Sequence, residues 1–201
     1  TPAPNLNGYI DVGVIVSDGT NASDEFHLPI LVMPVNDPPE FAVFDTTALK
    51  YQPGQDAIPI IEAPQIVDVD SDNLIMAEIG LLPDNYSPAN DLLIMPESVS
   101  HLRCVVDADG ILFLIGHGSL DDYENALQSI QYYYQLTEDI AGNTEEIQSG
   151  PRTLYIKLFD GQLNSIPYHK QVVMQVEITL DIPNAFTPNG DLSNDTWNVI
   201  I

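Results

Sequence analysis

Basic residues are scarce in this chain: 5 Lys+Arg stand against 30 Asp+Glu in 201 residues, a formal net charge of −25. A surface of that sign repels phosphate backbones, whose binding rests on clustered Lys and Arg, and it repels the anionic leaflet of a membrane. The expected partners therefore include no nucleic acid and no directly bound lipid, while cations are favoured. A single cysteine, Cys104, allows no intrachain disulfide and no zinc cluster, so it reads as a small core residue. Long apolar runs are missing too. The longest strongly apolar stretch, 111–115, is far short of the roughly 20 residues that span a bilayer. No charged-then-apolar leader opens the chain, which is expected to be mature, processed or cut from something longer.

Catalytic signatures are equally thin. There is no G-x-S-x-G elbow and no nucleotide-binding glycine loop, and His27, His101, His117 and His169 have no metal-binding or catalytic spacing. The expectation is a protein that is not an enzyme.

What the chain has is 44% apolar content, enough for a core, punctuated by 16 Pro and 12 Gly. It also repeats itself. Val12, Val14 and Val16 precede Asp18-Gly19 as Leu154, Ile156 and Leu158 precede Asp160-Gly161, 142 positions later. Each reads as a strand entering a hairpin turn. After each turn comes an alternating strand, with Phe26, Leu28, Ile30 and Val32 on one face of the first copy and Val172, Met174, Val176, Ile178 and Leu180 on one face of the second. Period two predicts half-buried strands. Each copy ends in a proline-bearing junction, at Asn36-Asp37-Pro38-Pro39 and at Ile182-Pro183, where the missing N–H of proline suits a linker.

The expected organisation follows. Residues 1–37 are the closing hairpin of one module, 38–182 a complete second module, and 183–201 the start of a third element. Within 38–182, strands are predicted at 58–61, 74–82, 92–95, 102–106, 111–115, 131–136, 154–159 and 172–180, separated by Asp, Asn, Gly, Pro and Ser. Seven or eight short strands predict an all-β fold of the β-sandwich kind. One short helix interrupts it: Ser119 and Asp122 form a capping-box start, and Tyr123, Ala126, Leu127 and Ile130 recur at helical spacing.

Asp68, Asp70 and Asp72 alternate, so an extended strand would put three carboxylates on one face and call for a counter-ion. Ca²⁺ fits, because it takes 6–8 hard oxygen ligands in flexible geometry. The competing reading is a set of turn residues bonded to their own backbone. Asp107-Ala108-Asp109-Gly110 lacks the remaining positions of a calcium loop and reads as a hairpin turn. Tyr132, Tyr133 and Tyr134 alternate across a strand and suit packing better than a glycan platform.

Two resemblances enter here. The order of Asn36-Asp37-Pro38-Pro39-Glu40-Phe41, Asp68 to Asp72, Gly110 to Gly116, Tyr123 to Tyr132, and Arg152 to Gly161 resembles the cadherin-like tandem repeats of large bacterial surface proteins. The stretch from Ile182 to Trp197 is similar to the opening of the gliding-motility-associated C-terminal domain, the type B sorting domain of type IX secretion cargo, with Leu192 where that family usually has Gly. The resemblances imply an exported cell-surface protein, attached at the outer membrane, that meets the type IX secretion and anchoring machinery through its C-terminal domain and neighbouring modules of its own chain. They imply calcium held jointly by Asn36, Asp37, Asp68 and Asp70, with Glu62 and Asp160 as weaker candidates. The implied role is a stalk or adhesin segment, gliding-related in some members; the alternative is a spacer and sorting region of a secreted polysaccharide-degrading enzyme.

Overall fold

The computed structural model describes residues 5–95, 101–136 and 150–175. Among the described residues the chain is all-β with one short helix. It opens with a two-stranded antiparallel ribbon, β1 (Gly8–Val14) and β2 (Phe26–Val32). Three short strands follow, β3 (Glu40–Val43), β4 (Leu49–Tyr51) and β5 (Ile58–Pro59), and then β6 (Gln65–Val67) and the long β7 (Asn73–Leu81). Next come β8 (Asp91–Ile94), β9 (Arg103–Val106), β10 (Leu112–Ser119), α1 (Leu120–Ser129) and β11 (Gln131–Tyr134). The closing hairpin is β12 (Arg152–Phe159) with β13 (Tyr168–Met174).

Six strands form one sheet in the order β4-β13-β12-β7-β10-β9, and three form another in the order β5-β11-β8; β3 and β6 pair separately. All ladders are antiparallel except β13 with β4. The two larger sheets share one core. Ala77 and Ile79 on β7, Leu112 and Leu114 on β10, and Leu154, Ile156 and Leu158 on β12 are fully buried at alternate positions, as a pleated strand with one core face requires. Across from them, Tyr132 of β11 meets Tyr51 of β4 edge to face, with ring centroids 5.0 Å apart.

The polar contribution to this core is unusual. Arg152 and Asp91 are buried, and the Arg152 Nε donates to Asp91 Oδ1 at 2.9 Å, joining β12 of one sheet to β8 of the other. The Tyr132 hydroxyl donates to the same oxygen, the Ser87 N–H donates to Asp91 Oδ2 at 2.8 Å, and the guanidinium lies over the Tyr134 ring.

The helix starts where the sequence predicts. Ser119 Oγ accepts from the Asp122 N–H, and Asp122 Oδ2 accepts from the Ser119 N–H at 2.9 Å, a complete capping box. Tyr123, Ala126 and Leu127 are buried. Glu124 Oε1 accepts from the Ile66 N–H at 2.6 Å and ties the helix to β6.

Several boundaries differ from the sequence reading for local reasons. The predicted strand at 58–61 ends at Pro59, although Ile60 and Ile61 remain buried. The strand predicted to end at 115 runs on to Ser119 through a bulge at 116–117, where Gly116 takes φ 151°. β3, β4 and β6 were too short, at 3–4 residues, to show a period. Beyond Gln175 the predicted strand, the second junction at Ile182-Pro183 and the sorting-domain motif lie outside the described residues.

The ribbon β1–β2 corrects one expectation. Its strands pair as predicted, but Phe26, Leu28 and Ile30 are 66%, 45% and 44% exposed instead of half-buried, since no described element covers that face.

Candidate functional site

The two hairpins are the same structure. Five of the seven Cα pairs of β1/β2 recur 142 positions on in β12/β13, so that Ile10↔Ile30 becomes Arg152↔Val172 and Val14↔Phe26 becomes Ile156↔Tyr168. The turns share their Asp and Ser bonds, while Ser17 Oγ makes two more in the first where Phe159 stands in the second. Asp18 Oδ1 accepts from the N–H groups of Thr20 and Asn21 at 2.8 and 2.7 Å, and Asp160 Oδ1 accepts from those of Gln162 and Leu163 at 2.5 and 2.7 Å. Gly19 and Gly161 both have positive φ, 94° and 109°, a region that favours glycine. Ser23 Oγ accepts from the Val16 N–H at 3.1 Å, and Ser165 Oγ from the Leu158 N–H at 3.0 Å. Sequence reasoning missed this serine pair, although Ser23 and Ser165 stand at the same 142-residue offset.

The candidate site lies where the ribbon's exit segment meets the β6–β7 connection and the β12–β13 turn. Asn36 reaches across the chain: its Nδ2 donates to Asp160 Oδ2 at 2.7 Å, and its Oδ1 accepts from Gln162 Nε2 at 2.8 Å. The Asp37 N–H donates to Asp70 Oδ2 at 3.1 Å. Asn36 is thereby tied to the β12–β13 turn and Asp37 to the β6–β7 connection. Pro38 is exposed between them and β3, while Pro39 is buried. Asp160, ranked below the other ligand candidates by sequence, is therefore a central member of the junction, and Glu62 belongs elsewhere, beside Asp45 and Lys170 in a groove lined also by Leu49 and Ile58.

The acidic segment 68–72 is not extended, which corrects the shared-face reading of its alternating carboxylates. Asp68 Oδ1 accepts from the N–H groups of Asp70 and Ser71, both at 3.1 Å, an Asx turn. Asp72 lies past that turn, exposed, and its carbonyl accepts from the Leu120 N–H at 3.2 Å. The other oxygen of Asp68 is shielded from solvent and has no hydrogen-bond partner. Burial, joined by the neighbouring Asp70, pushes the Asp68 carboxyl above its ordinary value against the pull of the backbone N–H groups. At Asp160 burial also pushes upward, but the Asn36 amide and the Leu163 and Gln162 N–H groups outweigh it and hold the carboxyl below the ordinary value. Two shallow clefts flank the junction, of about 290 and 250 Å³, and both are lined by Asn5, Asp37 and Val69.

Hard oxygen donors dominate this surface, and the orphaned Asp68 Oδ2 is the atom a cation would satisfy. Among the described residues no three His, Cys, Asp or Glu side chains converge as a ready-made metal cage. The remaining motifs resolve as turns and packing. Asp107 Oδ1 accepts from the Asp109 and Ile111 N–H groups, both at 2.9 Å, in the β9–β10 hairpin. Tyr132 and Tyr134 are buried, with Tyr133 facing the other way. Cys104 packs partly buried against the core, and burial pushes its thiol up. His27 pairs with Asp11 and His101 with Asp122, each at 2.9 Å.

No family model matches the chain, and neither curated proteins nor solved structures give a match.

Proposed function

We propose that this chain is a non-enzymatic stalk segment of a large secreted cell-surface protein, built from Ig/cadherin-like β-sandwich modules in tandem and exported by the type IX secretion system. The observation that carries the modular part is the repeated hairpin: one register and one turn hydrogen-bond pattern occur twice, 142 residues apart, with a proline-bearing linker after the first copy. Duplicated modules joined end to end transmit force and extend reach through their junctions, and a junction serves that role only if it resists bending. Asn36 and Asp37, each bonded to a different loop of the following module, support that reading.

Calcium at the junction is the second part. Asp68, Asp70, Asp37 and Asn36 would supply oxygen donors, with Asp160 beside them, and a bound divalent cation would offset the like charges gathered there. The unpartnered Asp68 oxygen, shielded from solvent beside Asp70, supports that reading. The export and surface-anchoring part rests on the resemblance of 182–197 to a sorting domain.

The test is thermal unfolding and small-angle scattering of the chain with Ca²⁺ and with a chelator. The proposal expects a higher Tm and a longer, stiffer particle with Ca²⁺. Identical melting and scattering curves would remove the metal from the account while leaving the repeated hairpins in place.

A further inference from the structure

The ribbon β1–β2 carries an apolar face that nothing described covers. On β1 and just past its end that face is Ile10, Val12, Val14 and Val16, which stand 142 positions before Arg152, Leu154, Ile156 and Leu158, all four fully buried. On β2 it is Phe26, Leu28, Ile30 and Val32, the counterparts of Tyr168, Lys170, Val172 and Met174 on the core side of β13. Every residue of the earlier face is apolar; the two charged members of the later one, Arg152 and Lys170, are Ile10 and Leu28 in the ribbon. The opposite face is mixed: Asp11 pairs with His27 at 2.9 Å, and Tyr9 and Leu31 lie exposed beside Pro29. A contiguous exposed apolar strip of this kind marks an interaction surface.

The edges point to the same conclusion. In the later hairpin the outer edge of β12 pairs antiparallel with β7, and the outer edge of β13 pairs parallel with β4. Among the described residues the corresponding edges of β1 and β2 are unpaired, and an open strand edge recruits another strand. We propose that the ribbon docks into the open side of another two-sheet module of this chain's own kind, one that lacks its closing hairpin. A β7-type strand would add antiparallel to β1, a β4-type strand parallel to β2, and a layer like β5-β11-β8 would cover the apolar face. A second copy of this chain is a poor occupant, because its β4 and β7 already hold β13 and β12. The inference deepens the modular reading by naming the partner of the ribbon, and it is independent of calcium.

The experiment extends the chain with a copy of its own module. Residues 38–149 are placed directly before Gly8, because Gly8 stands where Gly150 stands. In the added copy Asp91 meets Ile10 in place of Arg152, so a companion chain carries Asp91→Leu in that copy alone. Amide hydrogen exchange is then compared between the original and extended chains. The proposal expects the β1 and β2 amides to slow by about a hundredfold, toward the protection of β12 and β13, in the companion chain at least, with a parallel loss of apolar-dye fluorescence. Unchanged ribbon exchange in both extended chains, with β12 and β13 still protected, overturns it. So does a concentration-dependent dimer of the original chain that protects β1 and β2, which would make a second copy the occupant. Neither readout depends on chelator, so failure here is distinct from failure of the calcium test.

Discussion

Replacing Arg152 by methionine removes a cation from the middle of the core and leaves Asp91 behind. Both side chains are fully shielded from solvent. Asp91 would keep two donors, the Ser87 N–H and the Tyr132 hydroxyl, but would lose its only buried counter-charge among the described residues. Breaking a buried ion pair on one side costs about 3–5 kcal/mol, mostly the penalty of the uncompensated charge. For a chain of this size that corresponds to a fall in Tm of about 6–20 °C. Arg152→Met with Asp91→Leu removes both charges, and such paired apolar replacements are often neutral or stabilising, offset here by about 1–3 kcal/mol as the Tyr132 hydroxyl, left with Met174 Sδ at 3.7 Å, and the half-buried Ser87 N–H lose the carboxylate. The double variant is therefore expected to recover much of the single-variant loss. Urea unfolding followed by circular dichroism gives both values and their coupling. A loss under about 1 kcal/mol for Arg152→Met, or a double variant no more stable than the single one, would refute the reasoning that the pair is a charge-compensated unit.

The serine pair separates buried from exposed chemistry. Ser165→Ala strands the buried Leu158 N–H and should cost about 1–3 kcal/mol, whereas Ser23→Ala, in the exposed ribbon where water replaces the hydroxyl, should change stability by about 0.5 kcal/mol or less in the same unfolding assay. Truncating the helix core by Leu127→Ala should cost about 2–5 kcal/mol, and removing the cap by Ser119→Ala about 0.5–2 kcal/mol, both read as shifts of the urea midpoint. Lys170 holds Asp45 below its ordinary value, and hydrogen bonds from Ser119 do the same for Asp122. Their stabilising contribution is full above the unfolded value of 3.8 and is lost as pH falls through the lower folded value, so Tm should drop below about pH 4. Asp68 has the opposite sign: its raised folded pKa imposes a penalty that grows as pH rises above 3.8, so metal-free Asp68→Asn should melt higher than the parent at pH 7 and lose any calcium response.

The legible part of the fold was the part with a period or a turn signature. β7, β10 and β12 alternate at Ala77/Ile79, Leu112/Leu114 and Leu154/Ile156/Leu158 and were found, and α1 was fixed by the Ser119/Asp122 box and the Tyr123, Ala126, Leu127 spacing. β3, β4 and β6 were missed because three or four residues cannot express a two-residue period, and their pairing is set by partners distant in sequence, as where Leu49 lies beside Val172. The site was half legible. Of Asn36, Asp37, Asp68, Asp70 and Asp72, Asp37 bonds Asp70 while Asn36 turns to Asp160 instead, and alternation gave Asp68 to Asp72 the wrong conformation, since the Asx turn at Asp68 wins over an extended backbone. The Arg152–Asp91 pair has no local signal, its members lying 61 positions apart on different sheets.

The two hairpins also separate local from tertiary causes of structure. One copy is flanked by β7 and β4 and buried on one face; the other has neither flank nor cover among the described residues, yet keeps the same register over five Cα pairs and the same Asp and Ser turn bonds. The hairpin geometry is therefore set within about 25 residues by Asp at the turn entry, Gly at positive φ and the serine that closes the loop. Tertiary packing sets something else, namely which face tolerates charge: Arg152 is admitted where Asp91 awaits it, and Ile10 stands at the matching place where no such partner is described. A two-stranded ribbon is marginally stable alone in water, so a locally specified hairpin with an all-apolar face gains its stability only when a second layer closes over it.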